Sequence, residues 1–85
     1  ESALHRYYVI AGSFLLPDNA DKFSEKLRKM GYDVKTFNFK NGFKVVGICG
    51  TEDIRTASRE MENMMELPFS PYDPWIYDTT AQLHE

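Results

Sequence analysis

The chain has 85 residues, a formal net charge of −3, 42% hydrophobic residues and 14% aromatic residues. This length fits one domain with one core and leaves little room for a deep catalytic cavity. Residues 1–50 carry eight Lys and Arg against five acids, whereas residues 51–85 carry two against eight. Because phosphate binding depends on clustered Lys and Arg, we expect no nucleic-acid partner. No apolar run approaches the roughly 20 residues that span a bilayer, so we expect no membrane insertion within this segment.

The residue types that carry catalysis are sparse. Cys49 is the sole cysteine, so an intrachain disulfide is impossible, and we expect its side chain to be a small buried hydrophobe. His5 and His84 lie near opposite ends of the chain, and no paired ligand spacing indicates zinc. We therefore expect a non-catalytic protein without a cofactor or a metal.

The first half of the chain predicts a strand, a helix and a hairpin. An aromatic and β-branched run predicts the first strand over Tyr7–Phe14. A helix is predicted from apolar residues at three- and four-residue steps, namely Ala20, Phe23, Leu27 and Met30. Asp18 or Asn19 is its expected cap, and Gly31 is its expected end. Asn41 and Gly42 then form a strong hairpin signal between strands at 32–40 and 43–48.

The second half predicts a helix and one more strand. Thr51 is the expected cap of a helix with an apolar stripe, made of Ile54, Ala57, Met61, Met64 and Met65. The prolines at 68, 71 and 74 predict an extended connection. A short strand over Trp75–Asp78 follows, and residues 79–85 are expected to fray.

The resulting order is β-α-β-β-α-β. This order predicts an α+β fold of the ferredoxin-like, split βαβ type: a four-stranded antiparallel sheet with two helices packed on one face. Because each helix has one apolar stripe, the other face of the sheet is expected to stay open. An open face rich in aromatic residues is the expected place for binding.

Strand alternation distributes the side chains of the first strand between the two faces. Val9 and Ala11 are the expected core pair, so Tyr8, Ile10 and Gly12 should face outward. In the third strand the periodicity does not decide whether Phe43 and Val45, or Lys44 and Val46, enter the core. Lys35, Lys40 and Lys44 lie near the hairpin and are interpreted as solubilising.

Trp75 and Tyr77 share one face of the last strand. If they join Tyr8 and Phe43 on the open side, the four rings form an aromatic shelf suited to sugars, whose ring faces are apolar and whose hydroxyls need hydrogen bonds. The alternative is that Trp75 fills the core between sheet and helices.

The run from Tyr7 to Phe14 resembles the opening motif of the SPOR domains, which is usually aromatic, Val, Gln, small, Gly, Ser, Phe. The resemblance continues through the first helix, the Asn41-Gly42 turn, the third strand and the second helix to Trp75. It covers residues 6–79, leaving 1–5 as an N-terminal flank and 80–85 as a C-terminal tail. The third strand departs from the usual family ending after Gly47.

The resemblance implies a non-catalytic module that binds peptidoglycan glycan strands stripped of stem peptides, on the open sheet face. It places the module in a larger bacterial cell-envelope or periplasmic protein, with envelope or division proteins as further partners. Ser13, Phe43 and Trp75 match family positions, and Tyr8 is added from strand alternation. Ile10 completes the predicted site, although it stands where the family usually has Gln.

The Ile at position 10 also supports a second hypothesis. An apolar residue on an open face suits a protein-interaction or self-association domain, in which Ile10 would meet another protein. The two hypotheses predict different occupants for the same face of the sheet.

Overall fold

The computed structural model describes residues 4–66 and 73–85. The elements run in the order β1 (Tyr7–Phe14), α1 (Pro17–Lys29), β2 (Val34–Asn38), β3 (Lys44–Thr51), α2 (Ile54–Met65), β4 (Trp75–Asp78) and a 3₁₀ helix (Thr79–Ala81). The predicted α+β fold is confirmed. The extended conformation predicted at Pro68 and Pro71 lies outside the described residues.

The four strands form one antiparallel sheet in the order β2-β3-β1-β4. Both helices pack on one side, here called the helix face, over an aliphatic cluster: Val9, Ala11, Ala20, Leu27, Val46, Ile48 and Met64. The opposite side, here called the distal face, carries a second, mainly aromatic cluster: Tyr8, Ile10, Phe37, Phe39, Val45 and Tyr77. The sheet therefore separates two small cores.

The start of α1 differs from the prediction. Leu16 is the N-cap residue and makes no side-chain hydrogen bond, while Pro17 occupies the first helical position. The predicted cap at Asp18 or Asn19 is wrong because proline suits the first turn: it lacks an N–H that would need a partner, and its φ is already helical. The predicted end is confirmed, since Gly31 has a φ of +97° and its N–H donates to the carbonyl of Arg28.

The cap of α2 also lies later than predicted. Asp53, not Thr51, is the N-cap residue, and its carboxylate accepts a hydrogen bond from the backbone N–H of Arg55 at 3.0 Å. Thr51 instead accepts a bond from the N–H of Asp53. Within the predicted stripe, Ala57 and Met64 are buried, Met61 is half-buried, and Ile54 and Met65 are exposed.

The predicted hairpin between β2 and β3 is confirmed. The N–H of Phe39 donates to the carbonyl of Phe43 at 2.8 Å, and Gly42 has a φ of +95° in the turn. Asn41 accepts a hydrogen bond on its side-chain Oδ1 from the N–H of Phe43 at 3.1 Å. The turn therefore presents both phenylalanines at one end of the sheet.

A bulge interrupts β1. Ile10 pairs with Gly47 on β3 and Gly12 pairs with Val46, so that Ala11 is an extra residue. Ala11 belongs to the helix-face cluster. Strict alternation fails at this point because two consecutive residues of β1 turn toward the helices.

The second of these residues is Gly12. A Cβ on Gly12 would meet the ring of Phe23 on α1 at 3.2 Å, so the predicted outward orientation of Gly12 is wrong. Ser13 consequently turns to the distal face, where its cross-strand partner is Val45 of the distal cluster. This pairing also decides the orientation of β3: Phe43 and Val45 face the distal side, and Val46 faces the helices.

The prediction that residues 79–85 fray is wrong. The segment leaves β4 at one edge of the sheet and is hydrogen-bonded beside the end of β2 at the other edge. The N–H of Lys40 donates to the carbonyl of Leu83, and the N–H of Glu85 donates to the carbonyl of Asn38, each at 2.8 Å. The Tyr77 hydroxyl accepts hydrogen bonds from the backbone N–H groups of Leu83 and His84. These contacts hold the segment across the distal face.

Candidate functional site

A groove of about 510 Å³ lies on the part of the distal face that residues 79–85 leave open. Four apolar or aromatic residues of the hairpin and the strands line it, together with three residues that have polar side chains and one residue of the C-terminal segment. In that order these are Phe39, Phe43, Val45, Trp75, Lys40, Asn41, Ser13 and Leu83. Three residues predicted for the site, Ser13, Phe43 and Trp75, meet here.

Each of these three residues reaches the groove for a separate local reason. The β1 bulge turns Ser13 to the distal face, and the hairpin places Phe43 on the same face, just before β3. Trp75 pairs with Ile10 across β1 and β4. The three residues meet although they are far apart along the chain, because β3 and β4 are the two neighbours of β1 in the sheet.

The indole of Trp75 lies among the rings of the distal face. It makes edge-on contacts with Phe39 and Tyr77 at centroid distances of 6.3 and 6.2 Å. The residue remains 38% exposed. The alternative in which Trp75 fills the core between sheet and helices is therefore wrong.

Tyr8 and Ile10 do face the distal side, but neither is accessible. Tyr8 is 5% exposed and Ile10 is 0% exposed, because both belong to the cluster that the C-terminal segment helps to cover. Their burial contradicts the expectation that Tyr8 and Ile10 contact a ligand directly. The distal face was expected to be open throughout, but only the part that forms the groove is accessible.

The burial of Ile10 gives a physical reason for an aliphatic residue, rather than a polar one such as Gln, at this position. Ile10 lies in an apolar cluster with Tyr8, Phe37 and Tyr77. A Gln at this position would need buried hydrogen-bond partners, and a buried amide without them costs about 1–3 kcal/mol. An aliphatic side chain is the better fit under the covering segment.

Sequence reasoning did not place Phe39, Val45 or Leu83 in the site. Phe39 carried a detectable signal, since it flanks the Asn41-Gly42 turn opposite Phe43. Val45 could not be placed, because the periodicity of β3 was ambiguous. Leu83 carried no signal, because nothing in its short sequence context predicts that the segment crosses the sheet.

A second, larger cavity of about 840 Å³ lies at the other end of the molecule and includes Cys49 and Glu60 in its lining. Cys49 is half-buried on the helix side of β3, has a φ of +56°, and donates from Sγ to Glu60 at 3.7 Å. Burial and the neighbouring Glu60 carboxylate raise the pKa of the Cys49 thiol to about 11. The thiol is therefore protonated at neutral pH, which disfavours a nucleophilic role.

Within residues 4–66 and 73–85, no three His, Cys, Asp or Glu side chains come together in a way that could hold a metal ion. Neither α1 nor α2 is both long and apolar enough to cross a bilayer.

The fold has a counterpart among solved structures. The chain is similar to the solution structure of the peptidoglycan binding domain of the B. subtilis cell wall lytic enzyme CwlC, with a TM-score of 0.65 and 21% identity over 89% of this chain and 91% of that chain. At this identity the likeness establishes the fold alone. No family model matches the chain, and no curated protein matches it at a significant level.

Proposed function

We propose that this chain is a SPOR-like, non-catalytic module that binds the glycan strands of bacterial peptidoglycan in the distal groove. The observation that carries the proposal is the meeting of Trp75, Phe43 and Ser13 in one accessible groove. The fold likeness to a peptidoglycan binding domain supports the same ligand class. The module would locate a larger protein in the bacterial cell envelope or periplasm, near sites where peptide-free glycan accumulates during division.

The groove suits a sugar chain in its chemistry. The exposed part of the Trp75 ring and the half-buried Phe43 ring offer flat apolar surfaces for the C–H faces of a pyranose. The Ser13 hydroxyl can donate to or accept from a sugar hydroxyl. The groove is mostly apolar with a few polar groups, which is the usual composition of a small-ligand site.

A pelleting assay tests this proposal. Purified sacculi treated with an amidase, which removes stem peptides, should retain more of the domain than untreated sacculi. Trp75→Ala should weaken retention about tenfold or more, because the ring supplies the main apolar contact. Equal retention on both preparations would argue against peptide-free glycan as the ligand.

Met65→Ala is the matched control for the loss of an exposed apolar side chain. Met65 is 60% exposed on α2, on the opposite side of the sheet from the groove. Its retention should equal that of the wild type. If Met65→Ala and Trp75→Ala lose retention equally, binding does not depend on the groove.

The alternative of self-association through Ile10 is not supported by a specific observation. That hypothesis needed Ile10 at the surface, and Ile10 is 0% exposed. Sedimentation at increasing concentration should show a monomer. A stable dimer that loses sugar binding as it forms would revive the alternative through other distal residues.

A further inference from the structure

The polar groups of the groove are biased toward hydrogen-bond donors. Lys40 supplies an ammonium, and Ser13 supplies a hydroxyl. The side-chain Oδ1 of Asn41 already accepts a bond from the N–H of Phe43, so its free group is the amide NH₂. Among the described residues that line the groove, none carries a carboxylate. A ligand rich in acceptors, with a negative charge, complements this lining.

Lys40 is the single charged residue among the described lining residues. Its backbone is held at the groove rim, because its N–H donates to the carbonyl of Leu83 at 2.8 Å. Lys44, two residues after the turn, is different: its Nζ bonds Asp21 of α1 at 3.0 Å, on the helix side. Lys35 lines the cavity at the other end of the molecule. The groove therefore has one positive charge of its own.

We infer that Lys40 makes the groove select an amino sugar that carries a free carboxylate. The inference rests on the proposed function. Muramic acid bears a lactyl carboxyl group, which is a neutral amide where a stem peptide is attached and an anion where the peptide has been removed. The Nζ of Lys40 would pair with this anion while Trp75 and Phe43 hold the sugar ring.

The expected contribution is modest, because Lys40 is exposed. Pairs between exposed charges contribute little, so loss of this pair should weaken binding about two- to fivefold. The effect should also decrease as salt is added, since salt screens exposed charges. Stacking on Trp75 remains the larger contribution to affinity.

The test compares two forms of one ligand on three proteins. Amidase-treated sacculi are used directly, or after their carboxylates have been converted to methylamides with a carbodiimide and methylamine. The proteins are the wild type, Lys40→Gln, and Lys35→Gln as the charge-matched control. This capping of the carboxylates should weaken the wild type and Lys35→Gln about two- to fivefold and leave Lys40→Gln unchanged. Thermal melts confirm that all three proteins are folded.

Three outcomes would overturn the inference, and they differ in what else they affect. If capping weakens Lys40→Gln as much as the wild type, or weakens neither, glycan binding stands but Lys40 does not recognise the carboxylate. If hydrofluoric acid treatment, which strips phosphate-containing polymers, removes the Lys40 dependence, the recognised anion is a phosphate. If no sacculus preparation retains the wild type, the proposed function itself fails.

Discussion

Each face of the sheet carries a buried apolar cluster, but the two clusters are covered very differently. The helix face is aliphatic and is closed by α1 and α2, which together provide Ala20, Leu27 and Met64 to its cluster. The distal face is mainly aromatic and is covered only in part, by residues 79–85. The two helices bury the centre of their face, whereas the short C-terminal segment leaves a groove open beside it.

The largest difference between the faces should appear when a core side chain is shortened under the helices. Leu27 is 0% exposed, so Leu27→Ala should lower the free energy of unfolding by about 3 kcal/mol, through lost burial and a residual cavity. Urea denaturation followed by circular dichroism measures the change. A loss below about 1 kcal/mol would mean that the helix face is not the main source of stability.

A smaller effect is expected on the distal face. Tyr77→Phe removes the hydroxyl that accepts from the N–H groups of Leu83 and His84, so it should cost about 1–2 kcal/mol. Amide hydrogen exchange should accelerate at Leu83, His84 and Lys40, while the helices stay protected. Tyr7→Phe is the control, because the described contact of the Tyr7 ring is with the Arg6 guanidinium, and it should change stability by less than about 0.5 kcal/mol.

Replacing one glycine on each face with alanine adds the same methyl group to both faces and so compares how well each can accommodate it. On Gly47, which looks to the distal side, a Cβ would meet Phe37 and the Cβ of Tyr8 at 3.3 Å, both in a buried cluster. On Gly12 a Cβ would come closer, to 3.0 Å from a ring carbon of Phe14 and 3.2 Å from one of Phe23, but both rings are half-buried and can move toward solvent. Gly47→Ala should therefore cost about 1 kcal/mol, and Gly12→Ala should be close to neutral. Equal costs would show that the distal cluster can also yield.

The smallest effect concerns the edge of the helix face at Cys49. Its pKa is raised to about 11 from an ordinary value near 9. The protonated thiol thus contributes stability that is complete below pH 9 and is lost as pH rises through 11. Cys49→Ala should lack this component, so the difference in melting temperature between it and the wild type should change between pH 9 and 11. A constant difference would place the thiol in a more open environment.

Most of the fold was predictable because local signals agreed with the global arrangement. The β1 run, the end of α1 at Gly31 and the Asn41-Gly42 turn are each determined by nearby residues, and all were placed correctly. The caps were missed by two or three residues, because several residues near each helix start can act as caps. The first turn of α1 was then decided by the backbone of Pro17.

The site was only partly predictable. Ser13, Phe43 and Trp75 meet in the groove, but Tyr8 and Ile10 are covered. The cover depends on long-range bonds between residues 79–85 and the end of β2, about forty positions earlier in the chain. Such pairings depend on the folded sheet and have no periodicity of their own, so they cannot be predicted from the sequence of the segment.

The bulge at Ala11 affects how the sequences of related chains can be aligned with this one. Ala11 and Gly12 both face the helices, so losing one of them would remove this bulge and would still send Ser13 into the groove. An insertion of one residue after Gly12 would instead reverse the phase and point the serine at α1. Divergent homologues could therefore differ in length here and keep the same ligand contacts, and a motif compared letter by letter would misjudge them.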